Sequence, residues 1–225
     1  MRYHAENGGR IGRLKREKPM ILGIDVSHFQ GTINWQALAQ AGLIFAIIKA
    51  GGSEGGKHYR ESAFERNYAE AHKYGVQLGA YYVVGKQCHT STEGNSDAQH
   101  FASLLVGKKF EYPVYIDFEV PSVLTKKGNT DATIAFCKYM ESVGYYVGIY
   151  ASDISGFKSR LELNRLTAFD KWVARYGSAP QYVTSYGMWQ WTDAGAVVGI
   201  KGRVDMNASF KDYPAIMVNK HLNGY

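Results

Sequence analysis

From Met20 onward, short apolar runs alternate with amphipathic stretches, and no other feature of the chain restricts its fold as strongly. Alternation of this kind is the signature of strands joined by helical crossovers. Eight runs read as strands: Met20 to Ser27, Ile44 to Ala50, Gln77 to Val84, Tyr112 to Glu119, Tyr145 to Ala151, Lys171 to Tyr176, Met188 to Thr192 and Arg203 to Asn207. Most are rich in Ile, Val and Tyr and too short for helices. Between them the apolar period changes. Phe64, Tyr68 and Ala71 recur at i, i+4, i+7, and Ala98, Phe101, Ala102 and Leu105 at i, i+3, i+4, i+7, so each set shares one helical face. Gly42, Gly75 and Gly144 stand where glycine C-caps would close helices, the first after Trp35 to Ala41 and the last after Thr130 to Val143. A further helix is expected between Asp153 and Leu166.

After Tyr176 the pattern thins, and residues 177–186 and 193–202 read as loops. Parallel neighbours need a crossover of about a dozen residues, so one late strand is expected to run antiparallel. The reading is α/β: a single modified TIM-type barrel of eight strands and about five helices, whose later strands lack helices. A chain of 225 residues is long enough for that one core, and no apolar run approaches the length that crosses a bilayer. Membrane insertion is not expected.

The net charge of +6 is unevenly placed. Residues 1–18 carry six basic side chains against Glu6 and Glu17, leaving the body, residues 19–225, close to neutral. The arm is expected to be disordered or to serve in docking, and it lacks the apolar stretch of a secretory signal. Cys88 and Cys137 are expected to be free thiols, because a fold of this size needs no staple. The scattered histidines include no HExxH and no paired CxxC, so neither a metal nor another cofactor is expected. Residues 51–57 read G-x-x-x-x-G-K after a strand, most of a phosphate-binding loop. His58 stands where a Mg²⁺-holding Ser or Thr belongs, however, Glu54 adds negative charge, and no helix pattern begins at Lys57. Nucleotide binding is therefore not expected, and a near-neutral body without a recognised motif argues against nucleic acid.

Reactive groups of parallel barrels sit at the C-terminal ends of strands. Acidic side chains recur there: Asp25 near the end of the first strand, Asp117 and Glu119 at the end of the fourth, and Asp205 in the eighth, beside the first once a barrel closes. In Tyr115-Ile116-Asp117-Phe118-Glu119 the two acids are two residues apart and so share one face, with Cα atoms roughly 6 to 7 Å apart. Mutual repulsion in a partly desolvated site should raise one pKa, giving an acid beside a carboxylate. Glycosidic cleavage requires that pairing, since an acid protonates the leaving oxygen and a negative group stabilises the oxocarbenium-like transition state. A lone D-x-E is common, and by itself it could be a pair of solvated acids.

The surrounding motifs add specificity. Gly23-Ile24-Asp25-Val26-Ser27 with Gln30-Gly31 and Ile33-Asn34-Trp35, then Ile47-Ile48-Lys49-Ala50, Gly79-Ala80-Tyr81-Tyr82 and Pro113 to Glu119 follow one another in order. Gly148-Ile149-Tyr150, Trp172-Val173-Ala174-Arg175-Tyr176, Trp189-Gln190 and Val204-Asp205-Met206-Asn207 complete the series. Together they resemble the glycoside hydrolase family 25 lysozymes, a family that includes phage endolysins. The resemblance implies an N-acetylmuramidase that hydrolyses the β-1,4 bond between N-acetylmuramic acid and N-acetylglucosamine in bacterial peptidoglycan, on a modified barrel. It implies Glu119 as the acid, Asp117 as its partner, and Asp25 and Asp205 as further cleft carboxylates. Such an enzyme acts on the wall outside the membrane, secreted or phage-delivered, and is expected to be a monomer whose partner is the glycan chain.

Many relatives carry His where this chain has Tyr82, and Gly85 to His89 match nothing familiar. Substrate contacts are expected from Tyr81, Lys49, Tyr150, Trp172, Tyr176 and Trp189, with Lys49 supporting the acids as an ion-pair partner. Trp189 and Trp191 share a face opposite Gln190, so only one of these sets can face the barrel interior. The alternative of another class is a non-catalytic peptidoglycan- or chitin-binding barrel; a binder, however, gains little from four clustered, mutually repelling carboxylates.

Overall fold

Side-chain alternation decides which way each strand of the sheet faces. In the computed structural model, which describes residues 20–119 and 125–225, the strands are β1 (Ile21–Val26), β2 (Phe45–Glu54), β3 (Lys57–Arg60), β4 (Gln77–Val83), β5 (Val114–Asp117), β6 (Val147–Ser152), β7 (Asp170–Ala174), β8 (Met188–Gly195) and β9 (Val204–Ser209). The basic arm, residues 1–18, lies outside the described residues. On β5, Val114 and Ile116 pack outward while Tyr115 packs inward; on β2, Ala46 and Ile48 face out while Phe45 and Ile47 face in. This period of two separates an outer core under the helices from an inner core that fills the barrel.

The order β1-β2-β4-β5-β6-β7-β8-β9 closes back on β1, giving the expected eight-stranded barrel. All neighbours are parallel except β9, which runs antiparallel to both β8 and β1. The expected antiparallel strand is thus β9, reached by a connection from β8 too short for a crossover. Interior glycines make room for rings: a Cβ on Gly23 would stand 2.4 Å from the Phe45 ring, and one on Gly148 2.5 Å from Tyr115.

Helices α1 (Trp35–Gln40), α2 (Phe64–Lys73), α3 (Ser91–Leu105) and α4 (Lys126–Ser142) cover the first half of the barrel. Asn34 caps α1, and Thr90 with Glu93 forms a capping box on α3. Among the described residues a fifth helix, α5 (Tyr213–Lys220), carries Tyr213 and Met217 into the inner core; the sequence reading had not placed it. The helix expected between Asp153 and Leu166 forms as a π-helix, Asp153–Lys158, followed by a 3-10 turn, Leu163–Arg165. Asp153 stands at the start of the π-helix. Its carboxylate accepts the backbone N–H groups of Gln181, Tyr182 and Val183 at 2.8 to 3.2 Å and the Arg175 guanidinium at 3.0 Å, so this helix anchors the long loop after β7.

The second strand also outruns its predicted end. It passes Lys49 with a register shift and continues as a hairpin with β3. Gly55 and Gly56 form its two-residue turn with φ of +56° and +78°, a conformation that L side chains resist. The G-x-x-x-x-G-K stretch is therefore a β-hairpin, whose geometry excludes the helix-facing loop that cradles phosphate. Cys88 and Cys137 are buried free thiols. Among the described residues, no helix is long and apolar enough to cross a membrane.

Candidate active site

At the C-terminal mouth of the barrel the inward-facing layer changes from apolar to acidic. Asp25 follows inward-facing Gly23 on β1, and Asp117 follows inward-facing Tyr115 on β5. Asp205 on β9 is the direct cross-strand partner of Asp25. Glu119 lies just past the end of β5. All four predicted acids are brought together, and each is held above the ordinary carboxylate range by burial first, with acidic neighbours adding to the rise for Asp25, Asp117 and Asp205.

Asp25 is 6% exposed, and one of its oxygens accepts from Gln190 Nε2 at 2.9 Å and Asn207 Nδ2 at 2.8 Å. Burial and the charge of Asp205 nevertheless push it up to about 8. Asp205 reaches only about 6, because a hydrogen bond from Asp25 steadies its charge against burial and Asp193. Near neutral pH the pair thus holds one proton between its two carboxyls.

Asp117 differs in kind. It is 5% exposed, and its Oδ1 is buried with no hydrogen-bond partner. Burial, then the charge of Glu119, hold it well above the usual range against the pull of Lys49. An unsatisfied buried acceptor costs about 1–3 kcal/mol, so folding alone would not favour this arrangement. The Glu119 carboxyl is open to solvent on one side, yet protein crowds it enough for desolvation to raise it. The Tyr150 hydroxyl, Arg160 and Lys49 pull the other way. Tyr150 Oη lies 3.2 Å from Glu119 Oε1 and 2.8 Å from Gln190 Oε1, and Arg160 donates to the Glu119 backbone carbonyl.

The other predicted side chains divide. Lys49 pulls on Asp117 and Glu119 only through its charge, with no salt bridge to either among the described residues, and its ammonium sits 5.6 Å from the centre of the Tyr59 ring. Tyr81 is half-buried among the acids and meets Trp172 edge-on at 6.1 Å. Tyr176 is 49% exposed and donates to Gln190 Oε1 at 3.1 Å. Trp172 leaves no face open for a sugar. It is 1% exposed beneath Tyr81, Tyr115 and Tyr150, and its indole N–H donates to Asn207 Oδ1 at 2.7 Å. It is a floor to the site. Trp189 lies on the outward face of β8 and donates to the Arg175 carbonyl at 2.8 Å, while Gln190 takes the interior.

Sequence reasoning missed Gln190, Asn207 and Arg160 as site residues. The two amides could have been found from strand alternation, since each lies in a strand-end motif. Arg160 follows a turn whose fold the sequence did not disclose.

A cavity of about 260 Å³ beside Glu119 is lined by Ser152, Asp153, Ile154, Ser155, Ala174, Arg175 and Tyr176. Two coupled carboxyls at the mouth, one facing solvent and one buried with an unpaired oxygen, suit proton transfer to a leaving oxygen together with stabilisation of positive charge.

A family model described as "Glycosyl hydrolases family 25" matches residues 24–200. The chain is 28% identical over 207 residues to Lysozyme M1 of Streptomyces globisporus, covering 83% of this chain and 67% of that protein. It is 27% identical over 186 residues to the autolytic lysozyme of Clostridium acetobutylicum, covering 82% of this chain and 54% of the relative. Among solved structures, the bacterial lysozyme from Streptomyces coelicolor superposes with a TM-score of 0.73 at 29% identity, covering 85% of this chain and 92% of the other.

Proposed function

The chain belongs to glycosyl hydrolase family 25, and from that premise we propose that it hydrolyses the β-1,4 bond between N-acetylmuramic acid and N-acetylglucosamine, with Glu119 as general acid and base and Asp117 stabilising a substrate-assisted intermediate. Hydrolysis of peptidoglycan in general follows from the family and its lysozymes. The bond and the roles are the further step.

The observation that carries the reading is the orphaned Oδ1 of Asp117, buried beside Glu119. An N-acetyl group carries an amide N–H that satisfies such an acceptor. Once that N–H donates to Asp117, the charged form of Asp117 is favoured and the proton shared by the two acids passes to Glu119. Glu119 then protonates the glycosidic oxygen as the N-acetyl carbonyl oxygen attacks the anomeric carbon from the other side. The leaving sugar departs with the bond electrons and that proton. A cyclic cation results, and Asp117 stabilises its N–H. Water, deprotonated by Glu119, opens the ring at the anomeric carbon, restoring both groups with retention of configuration.

Two carboxyls from one strand end suit this route better than the alternatives. A protein nucleophile needs its partner acid across the bond, about 5 to 5.5 Å away, and inversion needs room for water, roughly 6.5 to 9.5 Å. Asp25 and Asp205, holding one proton between them, add negative potential without needing to touch the bond. Mass spectrometry of digested peptidoglycan tests the proposal. Muramic acid at the new reducing ends is the expected product; glucosamine there, or released peptides alone, would overturn it.

A further inference from the structure

The hairpin of β2 and β3 serves no role in the chemistry above, yet it walls a larger cavity than the one beside Glu119. This cavity, about 620 Å³, is lined among others by Glu54, Gly55, Gly56, Tyr59, Val83 and Lys86, and its volume falls within the roughly 300–1,000 Å³ typical of ligand sites. We propose that it binds the stem peptide attached to the muramoyl residue, so that the enzyme reads peptide and glycan together. The proposal rests on the muramidase reading and deepens it.

Position is the first argument. Val83, in the cavity wall, is the cross-strand partner of Asp117, and the N–H of Val84 donates to the Asp117 carbonyl at 3.1 Å. The cavity therefore begins one strand, about 4.8 Å, from the acids. The space beside Glu119 lies on the opposite side, against β6 and β7. A ligand at the acids is thus flanked by two spaces, and a branch leaving the glycan axis toward β4 enters the hairpin cavity.

Chemistry is the second argument. Glu54 and Lys86 are both exposed at this cavity and carry opposite charges, while Tyr59, Val83 and the glycines give it an apolar wall. A neutral sugar makes no use of paired opposite charges. A short peptide carrying carboxylates and a free amine matches both. The frame is held in place: Gly85 N–H donates to Ser53 Oγ at 2.9 Å, and a Cβ on Gly52 would stand 2.7 Å from the Val83 carbonyl oxygen, so only glycine lets the hairpin lie this close to β4. The glycines that imitate a phosphate loop in the sequence instead open this wall.

The test uses full-length protein with Glu119→Gln, which binds without turnover, titrated calorimetrically with N-acetylglucosaminyl-N-acetylmuramic acid and with the same disaccharide bearing its stem pentapeptide. The peptide should tighten binding by about tenfold, equivalent to 1.4 kcal/mol. Adding Glu54→Gln and Lys86→Gln, two exposed positions that do not endanger folding, should abolish that gain. Equal affinity for the two ligands, or a gain that survives the double change, would overturn the proposal while leaving the muramidase reading intact. Weaker binding of the peptide-free disaccharide to the double variant would also overturn it, by marking the cavity as a glycan subsite. If neither disaccharide binds, the muramidase reading falls and this one with it.

Discussion

Asp153 and Asp117 are the same residue type at nearly the same depth, 1% and 5% exposed, at the same end of one barrel. They meet opposite fates. Asp153 receives three backbone N–H groups and a guanidinium, and these hold it below the ordinary carboxylate range despite burial. Asp117 has one oxygen with no partner and a second acid beside it, and is held well above that range. A buried acid serves structure where the chain supplies its donors. Where the chain withholds them, the acid is left for a ligand.

The largest expected effect separates Asp117 from its neighbour. Glu119→Gln should lower kcat on natural glycan by about 10²- to 10⁴-fold, yet spare most of the rate on a substrate whose leaving group needs no proton. Asp117→Asn should damage both. Equal losses for Glu119→Gln on the two substrates would end its assignment as the acid.

Next comes stability. Asp153→Ala leaves four donors without their acceptor and should destabilise the fold by about 3 kcal/mol, measured by urea unfolding. Asp117→Asn should leave stability unchanged or raise the melting temperature, because it removes a desolvated, repelled charge. A large loss of stability in Asp117→Asn would contradict the comparison, since it would mean that this acid too is structurally paired.

These contrasts also mark how far the sequence could be read. Alternation and strand ends sufficed to place Asp25, Asp117, Glu119 and Asp205 in one mouth, because a period of two fixes the facing of every strand residue. What depends on contacts distant in sequence was not legible. Asp153 takes its donors from residues 181–183, and neither that anchor nor the π form of the helix it starts can be read from local spacing. Trp172 had the composition of a sugar platform and became a floor once Asn207 and three tyrosines closed over it. The phosphate-loop pattern of residues 51–57 was ruled out from sequence, but the hairpin turned by Gly55 and Gly56 that takes its place was not read there.

A smaller effect concerns the slope of stability with pH. Asp25 is raised when folded, so its ionisation penalty is absent below its unfolded value of about 3.9, accrues as pH rises, and is complete above about 8. The stability of Asp25→Asn relative to the unaltered protein should therefore climb between those limits and then level off. Asp153 is lowered when folded, so its contribution is full above about pH 4 and is lost as pH falls through its depressed value. Unfolding curves across pH should show the two slopes in their separate windows. The smallest effect is kinetic: Asp205→Asn removes a negative charge coupled to Glu119 and should move the alkaline limb of kcat/KM to lower pH by less than about one unit. A shift to higher pH would break the coupling.

On the proposed route Asp117 pairs with the substrate's own N-acetyl group, and the configuration of the first-formed product tests this most directly. Proton NMR of fresh digests, recorded before mutarotation, should show the β anomer of the new muramoyl reducing end appearing first, because two displacements at one carbon retain configuration. The α anomer appearing first would mean that water attacks directly, and the role assigned to Asp117 would be wrong.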